Sequence, residues 1–152
     1  MRLWIDGDSI PKDIRRLILR RHGKTLPSGA LLEVRFVGTR RLPDIPEECW
    51  TMADPGKDSS DRLIESLAEP GDLVVTRDIP FAQRILGLGV DCMNDRGERF
   101  TADTIAERRS LRDAAAELRL LGLAPESPRS SSRDEKTVKR FADGLEKILS
   151  RR

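Results

Sequence analysis

Aspartates are the side chains of this sequence whose spacing best suits chemistry. Two of them follow the strand pattern at residues 2–5, one follows the strand pattern at 73–76, and two more open a helical pattern between these segments. Ligands of parallel α/β sheets bind at the carboxyl ends of the strands, so these acids could converge on one rim of a sheet. The five residues are Asp6, Asp8, Asp58, Asp61 and Asp78.

A cluster of carboxylates at one rim predicts a site for a divalent cation. Two like charges about 4 Å apart repel by about 4 kcal/mol at an effective dielectric constant of about 20, so the cluster must share protons or bind a cation. Hard oxygen ligands favour Mg²⁺ or Mn²⁺ over zinc. A metal ion held in this way lowers the pKa of a bound water and neutralises charge on a phosphoryl group, which is the chemistry of phosphodiester hydrolysis.

Structural roles would explain the same aspartates. Asp58 could be a helix N-cap, with Asp61 at the third position of the helix. A helical wheel places both residues on a polar face, which a solvated surface would also explain. The other three acids could close turns or cap helices. The spacing of the residues leaves both interpretations open.

The elements that would position these acids alternate between strand and helix. Hydrophobic patterning predicts strands at residues 2–5, 31–37, 49–53, 73–76 and 90–93, and helices at residues 11–22, 59–68, 80–86 and 101–121. This alternation is typical of an α/β fold with a mainly parallel sheet. In the longest helix, the expected core residues are Ile105, Leu111, Leu118 and Leu121.

The predicted domain organisation is one α/β domain with a helical tail. The domain spans residues 1–123, a flexible linker rich in proline and serine spans 124–133, and a C-terminal helix in 134–152 packs on the same domain. The apolar face of that helix consists of Val138, Phe141, Leu145, Ile148 and Leu149.

Composition excludes several classes of protein. The 152 residues include 28 basic and 26 acidic side chains, so the chain is neither histone-like nor a strongly acidic one. No apolar run approaches the length of about 18 residues that a membrane span needs, and Asp6 interrupts any signal peptide. Cys49, Cys92 and the single histidine, His22, do not supply a disulfide framework, a His-rich zinc site or a Ser-His-Asp triad. We therefore expect a cytoplasmic protein without a membrane segment.

Five motifs along the chain carry a resemblance to a known family. They are WIDGDSIP at residues 4–11, GKDSSD at 56–61, GDLVVTRDIPFA at 71–82, NDRG at 94–97 and FAD at 141–143. In this order and spacing they resemble the YaiI/YqxD family of uncharacterised bacterial proteins, which looks like a divergent branch of PIN-domain-like nucleases. The chain departs from the family pattern at Gly7, Ser9, Ile10, Ser59, Ser60, Asp95 and Asp143, whereas every matched aspartate is present.

The resemblance implies a fold and a set of site residues. The implied fold is a PIN-like three-layer α/β/α sandwich with a mainly parallel central sheet. Asp6, Asp61 and Asp78 would be the catalytic, metal-binding acids, with Asp8 and Asp58 in support. The corresponding activity would be a divalent-metal-dependent nuclease that uses Mg²⁺ or Mn²⁺, with RNA favoured over DNA as the substrate. The sequence predicts no particular oligomeric state.

Three residues beside these motifs are candidates for contacting phosphate or nucleic acid. Thr76 could orient a water molecule or a phosphate, or it could satisfy a backbone group. Arg77 precedes Asp78 directly. Arg96 could hold a phosphate through two parallel hydrogen bonds, or it could brace a turn by pairing with Asp95.

Two other functions fit parts of the pattern. The spacing of Asp6 and Asp8 and the strand that ends at Thr76 are similar to the first two motifs of HAD-like phosphatases. That mechanism needs a later lysine, and the first one after Thr76 is Lys136, in the predicted tail. The other alternative is a non-catalytic nucleic-acid-binding or regulatory module, whose affinity would fall steeply with salt.

Overall fold

A computed structural model describes residues 1–120 and 135–152. The five strands are β1 (Arg2–Asp6), β2 (Glu33–Gly38), β3 (Trp50–Met52), β4 (Leu73–Val75) and β5 (Asp91–Met93). The five α-helices are α1 (Lys12–Leu19), α2 (Ser59–Leu67), α3 (Ile79–Gly87), α4 (Ala102–Leu120) and α5 (Glu135–Leu149), and a 3₁₀ helix spans Glu47–Cys49. The predicted linker at 124–133 lies outside the described residues.

The strands form one parallel sheet in the order β3-β2-β1-β4-β5, which confirms the predicted fold class. The chain builds outward from β1 to β3 on one side and then returns to place β4 and β5 on the other. The order therefore reverses between β1 and β4. In open α/β sheets, the crevice at the carboxyl ends of such strands is where ligands bind.

Helices cover both faces of the sheet, which makes the fold a three-layer sandwich. Leu3 and Ile5 of β1 point into one apolar cluster, and Trp4 points into the other, because successive side chains of a strand alternate between faces. The first cluster is completed by α1 and α5 through Ile14, Ile18, Phe141, Leu145 and Leu149. The second is completed by α2, α3 and α4 through Ile64, Phe81, Ile85 and Ile105.

The predicted core of the longest helix is correct only at its N-terminal end. Ile105 is buried, but Leu111 is 64% exposed and Leu118 is 43% exposed, so the prediction for these two leucines is wrong. The reason is one of length, since a helix of 19 residues extends about 28 Å, far beyond the three-residue edge strand β5. Leu121 lies outside the described residues.

A glycine pair brings α5 against the loop that follows β5. A Cβ atom added to Gly144 would lie closer than 3.0 Å to the carbonyl oxygen of Gly97, and one added to Gly97 would lie equally close to the carbonyl oxygen of Arg140. Gly97 also has a φ of +86°, which glycine adopts without strain. The backbones of α5 and the loop therefore approach to a distance that no side chain would permit.

A buried aspartate closes the opposite end of the sheet. Asp72 accepts hydrogen bonds from the backbone nitrogen of Arg2 at 2.7 Å, from Nε1 of Trp4 at 3.0 Å and from the backbone nitrogen of Glu69 at 3.2 Å. These donors satisfy the carboxylate, so Asp72 has a structural role at the start of β4. Within the described residues, no helix has the length and apolar character needed to cross a membrane.

Candidate functional site

The five predicted aspartates line one cavity at the carboxyl ends of β1 and β4. We call it the carboxylate cavity, and its volume is about 650 Å³. Its lining consists of Asp6, Asp8, Ser9, Thr39, Gly56, Asp58, Ser59, Ser60, Asp61, Arg77 and Asp78. Five carboxylates thus face one arginine at the point where the strand order reverses.

Asp6 is the most deeply placed of these acids. It is the last residue of β1, it is only 7% exposed, and its Oδ2 accepts a hydrogen bond from Oγ1 of Thr76 at 3.4 Å. Burial raises the pKa of the Asp6 carboxyl above its usual value, and the nearby charge of Asp8 acts in the same direction, while a hydrogen bond from Ser9 opposes them. Asp6 is therefore a carboxylate whose charge needs compensation.

Thr76 connects the two acids that end β1 and β4. Its hydroxyl donates to Asp6 and accepts a hydrogen bond from the backbone nitrogen of Asp78 at 3.1 Å. The side chain is fully buried and does not line the cavity. Thr76 thus satisfies a backbone group, as its structural interpretation predicts, and at the same time holds Asp6 in place.

Asp78 has a structural role in addition to its place in the cavity. It is the N-cap of α3, and its Oδ1 accepts a hydrogen bond from the backbone nitrogen of Phe81 at 2.8 Å. An N-cap of this kind stabilises a helix by about 1 kcal/mol. The cap employs one of the two carboxylate oxygens, and the residue is otherwise exposed at the cavity rim.

Asp8 is held where β1 and β2 end. Its Oδ2 accepts a hydrogen bond from the backbone nitrogen of Thr39 at 3.3 Å. The half-buried ring of Trp50 lies against Gly7 and Gly38, and a Cβ atom on Gly38 would be 2.7 Å from this ring and 3.2 Å from Oδ1 of Asp8. The glycine at position 38 therefore leaves room for both the indole ring and the carboxylate.

Asp58 occupies the N-cap position of α2 without capping it. Its side chain makes no capping hydrogen bond, and its backbone has a left-handed conformation with a φ of 58°. Aspartate is one of the few non-glycine residues that adopt this conformation readily. The capping interpretation therefore agrees with the position of Asp58 at the start of α2, but the carboxylate itself does not cap the helix.

Asp61 is the acid whose ionisation is most strongly perturbed. Its side chain is 13% exposed and lies 3.4 Å from Nη2 of Arg84. Its pKa is raised to about 7, chiefly by burial and then by the charges of Asp6 and Asp78, and Arg84 opposes this rise. Asp61 therefore keeps its proton to a higher pH than an aspartate on a solvated face does.

The chemistry of the lining suits a hard cation. Carboxylate and hydroxyl oxygens are the ligands of Mg²⁺ and Mn²⁺, and repulsion among these acids is what a divalent cation would relieve. In residues 1–120 and 135–152, no three Asp, Glu, His or Cys side chains are arranged closely enough to form a complete ligand set. Mg²⁺ commonly takes only one or two carboxylates together with waters and substrate phosphates, so the residues fit such an ion.

The arginines predicted to contact phosphate occupy different places. Arg77 lines the carboxylate cavity, and its Nε lies 3.4 Å from Oδ2 of the buried Asp95. Arg96 is exposed and is not among the lining residues, while its backbone nitrogen donates to Oδ1 of Asn94 at 2.9 Å. The turn that contains Arg96 is therefore organised by the buried side chain of Asn94.

Sequence analysis missed several polar residues of the cavity. Ser59 and Ser60 line it, as do Ser9 and Thr39. The two adjacent serines lie between Asp58 and Asp61, and this position in the sequence could have indicated that they line the same cavity. Nothing in the spacing of Thr39 indicated that its backbone nitrogen would hold Asp8.

Comparisons of the sequence with family models and with known proteins all point to the same family. A model described as "Uncharacterized BCR, YaiI/YqxD family" matches residues 4–151. A UPF0178 protein of Treponema pallidum (strain Nichols) is 38% identical over 149 residues, which are 97% of this chain and 80% of that protein. UPF0178 proteins of Vibrio parahaemolyticus and Myxococcus xanthus are 34% and 35% identical over 155 residues, covering 100% and 99% of this chain and 100% and 95% of those proteins. No solved structure matches the sequence.

Proposed function

Since this chain belongs to the YaiI/YqxD family, whose description states no reaction, we propose its function from the carboxylate cavity. The proposed activity is divalent-metal-dependent hydrolysis of phosphodiester bonds in nucleic acid, by a PIN-like protein with RNA favoured over DNA. The supporting observation is that acids from three distant segments line one cavity, where burial and mutual repulsion raise the pKa of Asp61 to about 7.

Each acid of the carboxylate cavity has a role in this proposal. Asp6 and Asp78 would be the direct ligands of Mg²⁺ or Mn²⁺, and Asp61 would hold the ion through a bound water, with Asp8 and Asp58 in support. The cation, when bound, would neutralise charge on the phosphate and lower the pKa of a water molecule.

Proton transfer and substrate binding would depend on Asp61 and Arg77. Asp61, which is not a direct ligand of the cation in this proposal, would in its ionised form take the proton of the attacking water. The guanidinium of Arg77, at the cavity rim, would donate to a phosphate oxygen of the backbone. Thr76 would position Asp6 through their hydrogen bond.

Binding of the cation can be tested by thermal unfolding in EDTA, Mg²⁺ and Mn²⁺. An ion at ten times its dissociation constant should stabilise the native chain by about 1.4 kcal/mol if it binds only the folded state, or about 3–6 °C in Tm. Asp78→Asn should lose this shift while keeping α3, because asparagine caps helices as well as aspartate does. Asp54→Asn, which changes an exposed acid outside the cavity, is the matched control and should keep the full shift.

Turnover is a separate expectation. With Mn²⁺ or Mg²⁺, the native chain should cleave single-stranded RNA, and Asp6→Asn should slow cleavage tenfold or more because it removes a charge that would hold the cation. The measurement is the rate of cleavage of a labelled oligonucleotide, with Asp54→Asn as the control. A native protein whose Tm responds to Mn²⁺ but that cleaves neither RNA nor DNA would contradict the hydrolase proposal.

The contacts of one arginine favour the alternative of a non-catalytic binding module. Arg84 forms ion pairs with Asp61 and Glu65 and lies over the ring of Phe81, so a permanent cation already compensates part of the cluster. In that case the protein would bind RNA equally well in EDTA and in Mn²⁺, and Asp78→Asn would retain the binding.

The HAD-like alternative has support from a single contact. Thr76 lies within hydrogen-bonding distance of Asp6, as the first two motifs of that mechanism require. The mechanism also needs a lysine, and no lysine is among the residues that line the carboxylate cavity. Lys136, the first lysine after Thr76, belongs to α5. Trapping a phosphoaspartate at Asp6 would support this alternative over metal-dependent hydrolysis.

A further inference from the structure

A second cavity lies between α5 and the hairpin that follows β5. In this hairpin the chain turns at residues 94–97 and returns so that Arg99 pairs with Met93 in an antiparallel bridge. The cavity has a volume of about 530 Å³ and shares no lining residue with the carboxylate cavity. We call it the basic cavity, and its charged lining consists of Asp91, Arg99, Lys147, Arg151 and Arg152.

The charges of the basic cavity do not balance, because four cationic side chains face one carboxylate. Asp91 forms ion pairs with both Arg99 and Arg152. Each arginine contacts Asp91 through Nη2 alone, whereas a guanidinium carries five N–H donors. Asp91 therefore holds two guanidinium groups in place and leaves most of their donors available to a ligand.

Lys147 and Arg151 add charge that the protein itself does not compensate. Both are exposed, Lys147 lies in the last turn of α5, and Arg151 follows two residues after the helix ends; neither forms an ion pair with any residue of the described segments. Cations in the last turn of a helix interact favourably with the helix dipole, which explains Lys147. The dipole does not explain why Arg99, from a different element, converges on the same cavity.

The shape of the basic cavity suits a small anionic group. The contact between Gly97 and Gly144 fixes the distance between the hairpin and the helix, so the cavity is bounded by backbone on one side. Ile148 provides an apolar part of the wall. Ligand cavities commonly measure about 300–1,000 Å³, and arginine forks match the oxygens of a phosphate.

We propose that the basic cavity binds a phosphate group, carried either by a small phosphorylated molecule or by a nucleic-acid strand. The net positive charge of its lining, the two arginines held by Asp91 and the backbone-defined width together favour this ligand chemistry. The main-chain oxygen of Arg152 accepts a hydrogen bond from the backbone nitrogen of Ser28, a residue that does not line the cavity. This hydrogen bond does not involve the cationic side chains of the lining. Binding here requires no cleavage and goes beyond the proposed hydrolysis.

The test is a titration of the full chain with inorganic phosphate, followed by nitrogen–proton NMR in EDTA at constant ionic strength. The amides of Gly97 and Gly144 should shift in a saturable manner. The double variant K147Q/R151Q should bind phosphate about tenfold more weakly, which is about 1.4 kcal/mol. The matched control is K139Q/R140Q, which removes the same charge from exposed positions of α5 that do not line the cavity and should bind as the native chain does.

Two further probes distinguish the sources of the phosphate. Adenosine 5′-monophosphate offers a terminal phosphate, and an oligonucleotide without terminal phosphates offers only diesters. Stronger binding of the first identifies a small phosphorylated ligand, and stronger binding of the second identifies a nucleic-acid backbone. The proposal is overturned if phosphate shifts neither glycine amide, or if both double variants weaken binding equally. Because EDTA is present throughout, these outcomes do not depend on a metal in the carboxylate cavity.

Discussion

Gly144→Ala should destabilise the protein by at least about 2 kcal/mol and lower its Tm by about 4–8 °C. In an exposed helix interior the same substitution would stabilise by up to about 1 kcal/mol, because alanine forms helices better than glycine. Here the new methyl group would lie closer than 3.0 Å to the carbonyl oxygen of Gly97, which is backbone and cannot rotate away. Either α5 or the hairpin must then move, which disturbs the packing of Phe141 and Leu145.

The matched control is Gly87→Ala at the end of α3. A Cβ atom on Gly87 would meet nothing within 4 Å, so this variant should be neutral or slightly stabilising. Urea unfolding of the two variants and the native chain gives the comparison, with the slope of the transition checked for constancy. An increase in stability for both alanine variants would show that the backbones of α5 and the hairpin are not in contact.

Without divalent cations, the free energy of unfolding should fall by about 2 to 3 kcal/mol as pH rises from 5 to 8. In the folded chain the pKa of Asp61 is raised from 3.8 to about 7, so the folded state binds a proton that the unfolded state has already released. The free energy of unfolding therefore decreases with rising pH wherever the folded state holds more protons than the unfolded state, which is between pH 3.8 and about 7. The buried Asp6, whose pKa is also raised, acts in the same direction.

Asp61→Asn should remove most of this pH dependence. At pH 8 it should be more stable than the native chain, since it no longer places a charge among Asp6 and Asp78, whereas Asp54→Asn should follow the native curve. Glu98, whose pKa is lowered from 4.5, affects stability mainly below the range of pH 5 to 8. Thermal unfolding between pH 5 and 8 measures the effect, and a native chain that gains stability across this range would contradict the assigned ionisation of Asp61.

The fold could be predicted because its elements have local signals. The strand residues Leu3, Trp4 and Ile5 are all apolar, as is typical of a parallel strand buried on both faces. Which end of the sheet an aspartate occupies could be predicted from the direction of the neighbouring strand alone. Asp78 comes after β4 and lies at the carboxyl end, whereas Asp72 comes before it and lies at the opposite end with a structural role.

Features that depend on pairs of distant residues could not be predicted. The ion pair of Arg84 with Asp61 joins two helices whose relative position is set by the sheet, and no spacing in the chain indicates it. The contact of Gly97 with Gly144 spans the segment outside the described residues, and each glycine alone is unremarkable in the sequence. Similarly, the exposure of Leu111 depends on where the sheet ends relative to α4.

The indole of Trp50 gives the carboxylate cavity a built-in fluorophore. Its ring lies against Gly38 beside Asp8. The other tryptophan, Trp4, donates a hydrogen bond to Asp72 at the far end of the sheet, and the chain has no tyrosine. Emission excited at the tryptophan band therefore comes from two indoles in separate environments, of which one adjoins the acids. Occupancy of the cavity should alter the Trp50 spectrum, so binding can be followed optically without attaching a dye.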